Sequence, residues 1–518
     1  MDTSKIHRRR WATLGVLCLS LIIIGLDNTI LNVALPTLSQ DLHATDSQLQ
    51  WIVDGYTLVF AGLLLTAGAL GDRFGRRGAL FLGLGLFAAA SIIAAWVDTP
   101  SQLIAARCAM GIGGAIIMPS TLSVLTNVFT DAKERAKAIG IWAAVSGLGI
   151  VLGPTAGGWL LEHFWWGSVF LVNVPVAVAA LVAGFWLVPD SRDPAAPRVD
   201  LPGSVLSIVG LSTLVWAIIE GHGRGWTSTS ILAAFAVATA TIVGFLLWER
   251  HTDHPMLDLR FFRDARFSAA SVAITLVFFA LFGTIFFLTQ YLQLVLGYSA
   301  LEAGRRLLPI ATMVLGAPIA MKLMQRVGVR IVVPIGLSIV TGALLLLGTT
   351  TVDDGYGQLA IVLACIGFGM GMTMAPATEA VMASLPKAKA GVGSAMNDTV
   401  RQVGGTLGVA VLGSILSSTY SAELTGPGVP EPATEGLGQA VAIAQRLPAA
   451  AGGELLQAAR VAFVESMTTT VLVAAAVSAA GALIAFLWLP GRAAEVDADA
   501  LDAELRELEE AEGLAPTA

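Results

Sequence analysis

Gly68-Ala69-Leu70-Gly71-Asp72-Arg73-Phe74-Gly75-Arg76-Arg77 is the stretch from which the fold is read. It packs an acid, three arginines and two glycines, Gly71 and Gly75, into the gap between two apolar runs, 49–70 and 79–97. A run of about 20 apolar residues crosses roughly 30 Å of hydrocarbon as a helix. In lipid the backbone must satisfy its own hydrogen bonds, which a helix does and an isolated strand does not. The ten residues therefore read as a tight charged turn joining two membrane spans.

The same alternation extends in both directions. Apolar runs fall at 11–35, 49–70, 79–97, 102–126, 136–161, 168–188, 203–220, 230–248, 268–294, 305–324, 330–349, 357–383, 391–418 and 466–489, which makes fourteen spans. Of the 518 residues, 55% are hydrophobic and only 13% charged, against about 25% charged in a soluble domain. The expected fold class is an all-α polytopic membrane protein. The first run could be mistaken for a signal peptide, but it continues to Leu35 and is interrupted by Asp27, so it reads as an uncleaved span. Cys18, Cys108 and Cys365 lie scattered inside apolar runs and read as small hydrophobes rather than a disulfide framework.

Orientation follows from the basic residues, which concentrate on the cytoplasmic side. With a cytoplasmic N-terminus, 23 of the 30 Lys and Arg fall in inner segments, five in outer segments, and two, Arg107 and Arg401, inside spans. An even count of fourteen puts both termini inside, in a bacterial-type cytoplasmic membrane. Residues 1–10 form an N-tail, 11–188 a six-helix bundle, 189–202 a linker and 203–248 two additional spans. A second six-helix bundle follows at 249–490, with an outer helical hairpin at about 420–465 whose pieces 436–446 and 453–465 are split by Pro448 and Gly452-Gly453. Residues 491–518 form an acidic tail, with nine acids against Arg506 between Glu495 and Glu512. The turn at Arg73–Arg77 has a counterpart in Arg326-Val327-Gly328-Val329-Arg330, eight spans on. Duplicated halves are common in transporters.

Four segments together resemble the major facilitator superfamily. The turn from Gly68 through Asp72, Arg73, Gly75 and Arg76 is similar to its inner-loop signature, which implies a conformational latch built on charge-assisted bonds to neighbouring helix ends. Leu103 to Gly114 places Arg107 inside a span, where charge is costly and faces a partner or a cavity. This resembles the fourth-span motif associated with proton coupling, although Met110 stands where the family often has glutamine. Gly149, Gly153 and Gly157 recur every four residues, a spacing that lets helices pack closely or slide. With Pro154 and Gly158 they resemble the motif that marks exporters. Leu26 to Pro36, carrying Asp27, looks like the first-span motif of the fourteen-span drug:proton antiporters, and the segments around Asp54-Gly55-Tyr56 and Trp166 to Pro175 fit the QacA/LfrA-type exporters. The resemblance covers nearly the whole chain. It implies two six-helix bundles with two extra central helices, and proton-coupled export of amphipathic, cationic drugs, dyes or antibiotics.

At 1.5 Å per residue, Asp27, Asp54 and Arg107 sit at similar depth in the outer half of the first bundle. Asp398 lies about 10 Å into span thirteen by the same rise, and Arg401, three residues on, shares its helix face. Asp27, Arg107 and Asp398, with Asp54 accessory, are the candidate proton-coupling residues. Candidate cargo contacts are Asp54, Asp398, Glu379, Tyr56, Phe282, Phe286, Gln290 and Met374. An aromatic stripe near buried acids suits flat cations; the same phenylalanines equally suit a lipid-facing surface. Expected partners are protons, small amphipathic substrates and lipids, with no nucleic acid, and the chain is expected to act as a monomer. No nucleotide loop or metal cluster is present in the sequence, so no cofactor is expected and the proton gradient is the expected drive. Two alternatives stay open: the same fold carrying a self-made antibiotic, lipid or metabolite, and a channel or membrane-embedded enzyme.

Overall fold

Apolar runs this long have one way to satisfy their backbones in lipid, and the computed structural model is correspondingly all helix. It describes residues 3–129, 131–192, 200–252, 255, 257, 259–352, 354–384, 390–426 and 429–490. The acidic tail 491–518 and linker residues 193–199 lie outside the described residues.

Among the described residues, fourteen helices cross the molecule: α1 (Thr3–Asp41), α2 (Asp46–Phe74), α3 (Arg76–Ala95), α4 (Pro100–Val128), α5 (Ala132–His163), α6 (Ser168–Leu187), α7 (Leu201–Arg224), α8 (Thr229–His251), α9 (Ala265–Val295), α10 (Ala300–Val327), α11 (Val329–Leu347), α12 (Tyr356–Ala383), α13 (Ala390–Glu423) and α14 (Ala449–Trp488). Among the described residues twelve of these are long and apolar enough to span a membrane. The other two, α2 and α5, run the same distance between them, with 29 and 32 residues. The side where α1 begins is the near side. Connections 42–45, 96–99, 164–167, 225–228 and 296–299, and residues 348–352, 354–355, 424–426 and 429–448, lie on the far side.

Local chemistry sets the helix ends. Thr45 and Gln48 form a reciprocal capping box at the start of α2, and Ser299 and Glu302 form another at the start of α10. Asp131 and Asp200 cap α5 and α7 with side-chain oxygens. Gly75 and Gly328 each end one helix and begin the next, at φ of +128° and +84°. That left-handed region favours glycine, so the two similar turns noted in the sequence share a backbone device.

The packing repeats as well. α1 lies on α5, α2 and α3 on α4, and α3 on α6; shifted by eight, α9 lies on α13, α10 and α11 on α12, and α11 on α14. α7 and α8 pair with each other, and α7 lies against α2 and α13. Outward faces stay apolar, as at Trp186, Leu232, Leu247, Val314 and Leu483, which suits contact with lipid.

Three elements differ from the sequence expectation. The segment 453–465 is not a separate hairpin arm but the first turns of the 40-residue α14. Gly452 does not break this helix; it lets the backbone approach Ala444 O, where a β-carbon would collide. What remains of the hairpin is a 3-10 turn at Glu431–Glu435 and a short helix, Leu437–Ala444. The span drawn at 305–324 opens with a broken stretch: a helical piece Ala300–Arg306, a 3-10 turn Leu308–Thr312 containing Pro309, and the main helix Met313–Val327. α1 runs through Pro36 to Asp41, six residues beyond the apolar run.

Candidate functional site

Arg107 is among the largest fully buried side chains of the protein, and its surroundings account for every part of the guanidinium that is bonded. Nη1 donates to Asp27 Oδ2 at 2.5 Å and Nε donates to Ile52 O at 3.0 Å. The Tyr56 ring lies 4.3 Å from the guanidinium carbon, close enough for a cation–π contact. The second carboxylate oxygen of Asp27 accepts from Asn173 Nδ2 at 3.2 Å. Four helices, α1, α2, α4 and α6, thus converge on one ion pair, with Arg107 and Asp27 side chains 1% and 0% exposed. Breaking such a pair by removing one charge costs about 3–5 kcal/mol, because the other stays buried alone.

Asp54 shares the depth of this pair but not its bonding. Residues 50, 54 and 57 are spaced four and three apart, which puts them on one face of α2. That face meets α13: Gln50 lies against Gly413, and the Thr406 hydroxyl donates to Thr57 Oγ1 at 2.8 Å. Asp54 is fully buried between these positions, and among the described residues neither carboxylate oxygen has a hydrogen-bond partner. Tyr56, two residues on, faces the opposite way.

In the second bundle, Arg401 Nη1 donates to Asp398 Oδ1 at 3.4 Å and Nη2 to Thr378 Oγ1 at 3.3 Å; the guanidinium sits 5.7 Å from the Phe278 ring. Thr378 in turn donates to Asn397 Oδ1 at 3.4 Å. This pair is looser than its counterpart, with side chains 26% and 12% exposed for Arg401 and Asp398. The first pair is sealed, and the second is less enclosed, with Arg401 half-buried and Asp398 buried.

The predicted cargo contacts divide. Phe282 and Met374 are half-buried, and Phe282 stacks on Phe278 at 5.9 Å. Phe286 is wholly enclosed by packing, and Tyr56 is enclosed between Phe60, Phe87 and Arg107, so neither lines an open cavity. Gln290 is buried with its amide nitrogen unpartnered. Glu379 is exposed on α12, one residue from Thr378. Asn173, the partner of Asp27, is a residue the motifs do not single out; the signal that marks it is an amide inside a span.

The glycine stripe has two working faces. Gly149, Gly153 and Gly157 lie against Gly25, Leu26, Thr29 and Ile30 of α1, so close that a β-carbon on Gly153 would collide with Thr29 Oγ1. Pro154 and Gly158 face the other bundle, where Pro154 O meets Gly304 and Gly158 meets Ala300 and Leu301. Of the residues expected to form a latch, Gly68 packs on Pro119, Arg73 is exposed, and the side chain of Asp72 lies outside the described residues. Arg76 N donates to Ser191 O at 3.0 Å, and Asp190 and Arg192 flank Gly75, so the segment after α6 folds back onto this turn.

Among the described residues, the bundles are tied together in the far half. Gln293 Nε2 donates to Val33 O at 2.8 Å, Gln439 Nε2 donates to Ala44 O at 3.2 Å, and Ser299 bonds Glu162, alongside the Thr57–Thr406 bond.

Residues 17–409 match the Major Facilitator Superfamily. The chain belongs to this superfamily. Its members are transporters, not enzymes. The chain is 38% identical over 490 residues to the multidrug efflux pump LfrA of Mycolicibacterium smegmatis, covering 93% of this chain and 97% of that one. It is 35% identical to the methyl viologen resistance protein SmvA of Salmonella typhimurium, covering 92% and 97%. Among solved structures it superposes on a bacterial homologue of the human lysosomal transporter Spinster with a TM-score of 0.65 at 20% identity, covering 92% of this chain and 98% of that one. The fourteen-helix, two-bundle arrangement is therefore a major facilitator fold with two added helices, and the similarity to multidrug efflux proteins runs over more than nine-tenths of the chain rather than resting on motifs.

Proposed function

We propose that this chain exports amphipathic, cationic drugs, dyes or antibiotics in exchange for protons, by alternating access between two bundles. The observation that carries this reading is a pair of intramembrane acid–arginine contacts, Asp27–Arg107 in one bundle and Asp398–Arg401 in the other. An acid that alternates between an arginine-paired anion and a protonated neutral form couples proton occupancy to helix position. Asp27 and Asp398 are the principal protonatable groups. Asp54, unpartnered in the seam between bundles, is accessory.

The near side is cytoplasmic, as the distribution of Lys and Arg supports, and both termini lie there, in a bacterial-type cytoplasmic membrane. The far-half ties support a state closed to the outside. Cargo approaches Asp398 through the more open second bundle, past Phe282 and Met374. Methyl viologen, named in one relative, is a flat organic dication of the kind that an acid beside stacked aromatic rings accommodates. The turn at Gly68–Arg76 acts as the latch, and residues 11–188 and 249–490 move as the two bodies. The chain works as a monomer, without a cofactor, on the proton gradient.

The test is efflux of monovalent and divalent dyes from proteoliposomes, with and without a proton gradient, for the native chain and for Asp27→Asn and Asp398→Asn. Loss of gradient-driven efflux in the variants is expected. Full coupled activity in both would refute the assignment. Transport confined to neutral or anionic compounds would refute its acid-to-cation part.

A further inference from the structure

The two added helices are not a passive insertion. α7 fills the groove where α2 of the first bundle meets α13 of the second. Leu58 of α2, Val215 and Ile219 of α7 and Ala410 of α13 form a buried cluster separate from the main core. The gap left among the three helices is about 10 Å³, no more than one water occupies. An acyl chain cannot enter this seam.

The bonds of α7 to its two neighbours are unequal. It is fastened to α2 at both ends: Glu220 accepts from Ser47 Oγ at 3.0 Å on the far side, and Ser204 bonds Thr66 toward the near side. Between these, Gly62 lets Ile208 approach so closely that a β-carbon at residue 62 would meet its side chain. Toward α13, among the described residues, Ser414 Oγ donates to Ile218 O at 2.9 Å, in the far half. Interhelical hydrogen bonds hold helices together in membranes, so the bonds at both ends of α7 and the close approach of Ile208 to Gly62 favour the α2 contact when the helices move.

We infer that α7 is a seal that travels with the first bundle: it stays on α2, slides across α13 when the far half of the seam opens, and keeps lipid out of the path between the bundles. This goes beyond the export reading and rests on its alternating access, in which α2 and α13 separate on the far side. It gives the two added spans a function, with α8 backing α7 on its lipid side.

Two crosslinks test it in the full chain in proteoliposomes, with Cys18, Cys108 and Cys365 replaced by serine or alanine. One joins α2 to α7 through Gly62→Cys and Ile208→Cys, where a β-carbon at 62 lies 3.6 Å from that of Ile208, within disulfide reach. The other joins α7 to α13 through Val215→Cys and Ala410→Cys, closed with a short thiol crosslinker. The α2–α7 link should leave dye efflux within twofold, while the α7–α13 link lowers it at least tenfold until a cleavable linker is reduced. Equal loss from both, or efflux untouched by the α7–α13 link, overturns the inference. Reduced variants that move no dye at all count against the export reading, and spin labels at the same four positions then decide this one without cargo. Across pH values the 62–208 distance should hold while the 215–410 distance changes. A fixed 215–410 distance or a variable 62–208 distance overturns it.

Discussion

Asn173 donates to the one oxygen of Asp27 that Arg107 leaves free. The carboxylate is thereby held from two sides, by a charge on α4 and a neutral amide on α6. An unpaired buried acceptor costs about 1–3 kcal/mol. Asn173→Ala is therefore expected to reduce proton-driven efflux roughly five- to 150-fold at unchanged expression, read as initial dye efflux in vesicles. Activity equal to the native chain would show that Arg107 alone holds the acid.

Arg107→Lys should not substitute. A lysine ammonium lacks the planar fork that reaches Asp27 and Ile52 O together while lying beside Tyr56. Efflux should fall nearly as far as in Arg107→Gln. Arg107→Gln should also lower thermal stability in detergent, and adding Asp27→Asn should recover part of that loss because no lone charge remains. A double variant less stable than Arg107→Gln would contradict the pairing energetics.

Gly153→Val and Gly158→Val should behave differently although both lie on α5. The first drives a side chain into Thr29 and Ile30 of its own bundle, where overpacking costs about 1–3 kcal/mol, so the melting temperature should drop along with transport. The second presses on Ala300 and Leu301 of the other bundle. Its melting temperature should change less, while a cysteine introduced at the far-side mouth becomes more reactive to an impermeant maleimide. The same fall in melting temperature for both would argue against two separate faces.

Phe286→Ala and Phe282→Ala separate packing from cargo contact. Phe286 is enclosed, and its truncation should cost about 3–5 kcal/mol of stability. Phe282 is half-buried, and its truncation should change the ratio of efflux rates among dyes more than the melting temperature. The reverse pattern would move the cargo surface away from α9.

Much of this was legible in the sequence because lipid leaves few choices. Run length dictated the fourteen helices, and the paired glycine turns at Gly75 and Gly328 marked the repeat. Arg107 and Asp27 were found as charges where charge is expensive. What the sequence hid is which way a side chain turns: Asp54 and Tyr56 are two residues apart, yet one faces α13 and the other Arg107. Similar depth along the span does not say which helix a side chain meets. Gly452-Gly453 reads as a break, but against Ala444 it is a contact, so α14 continues through it. The grip of residues 190–192 on the Gly75 turn left no mark in composition.

The ion pair at the centre of the first bundle also sets a problem of timing during synthesis. Asp27 is made 80 residues before Arg107. At about 5–20 residues per second the acid waits roughly 4–16 s for its partner. Through that interval α1 enters the bilayer carrying a residue that costs about 2.5–3.5 kcal/mol at a helix centre. The leucines and isoleucines on either side, Leu21 to Ile24 and Ile30 to Leu35, offset that cost. Substitutions that thin this flanking apolar run would fail at insertion, before any transport cycle begins, and the failure would show as missing protein rather than as an inactive exporter.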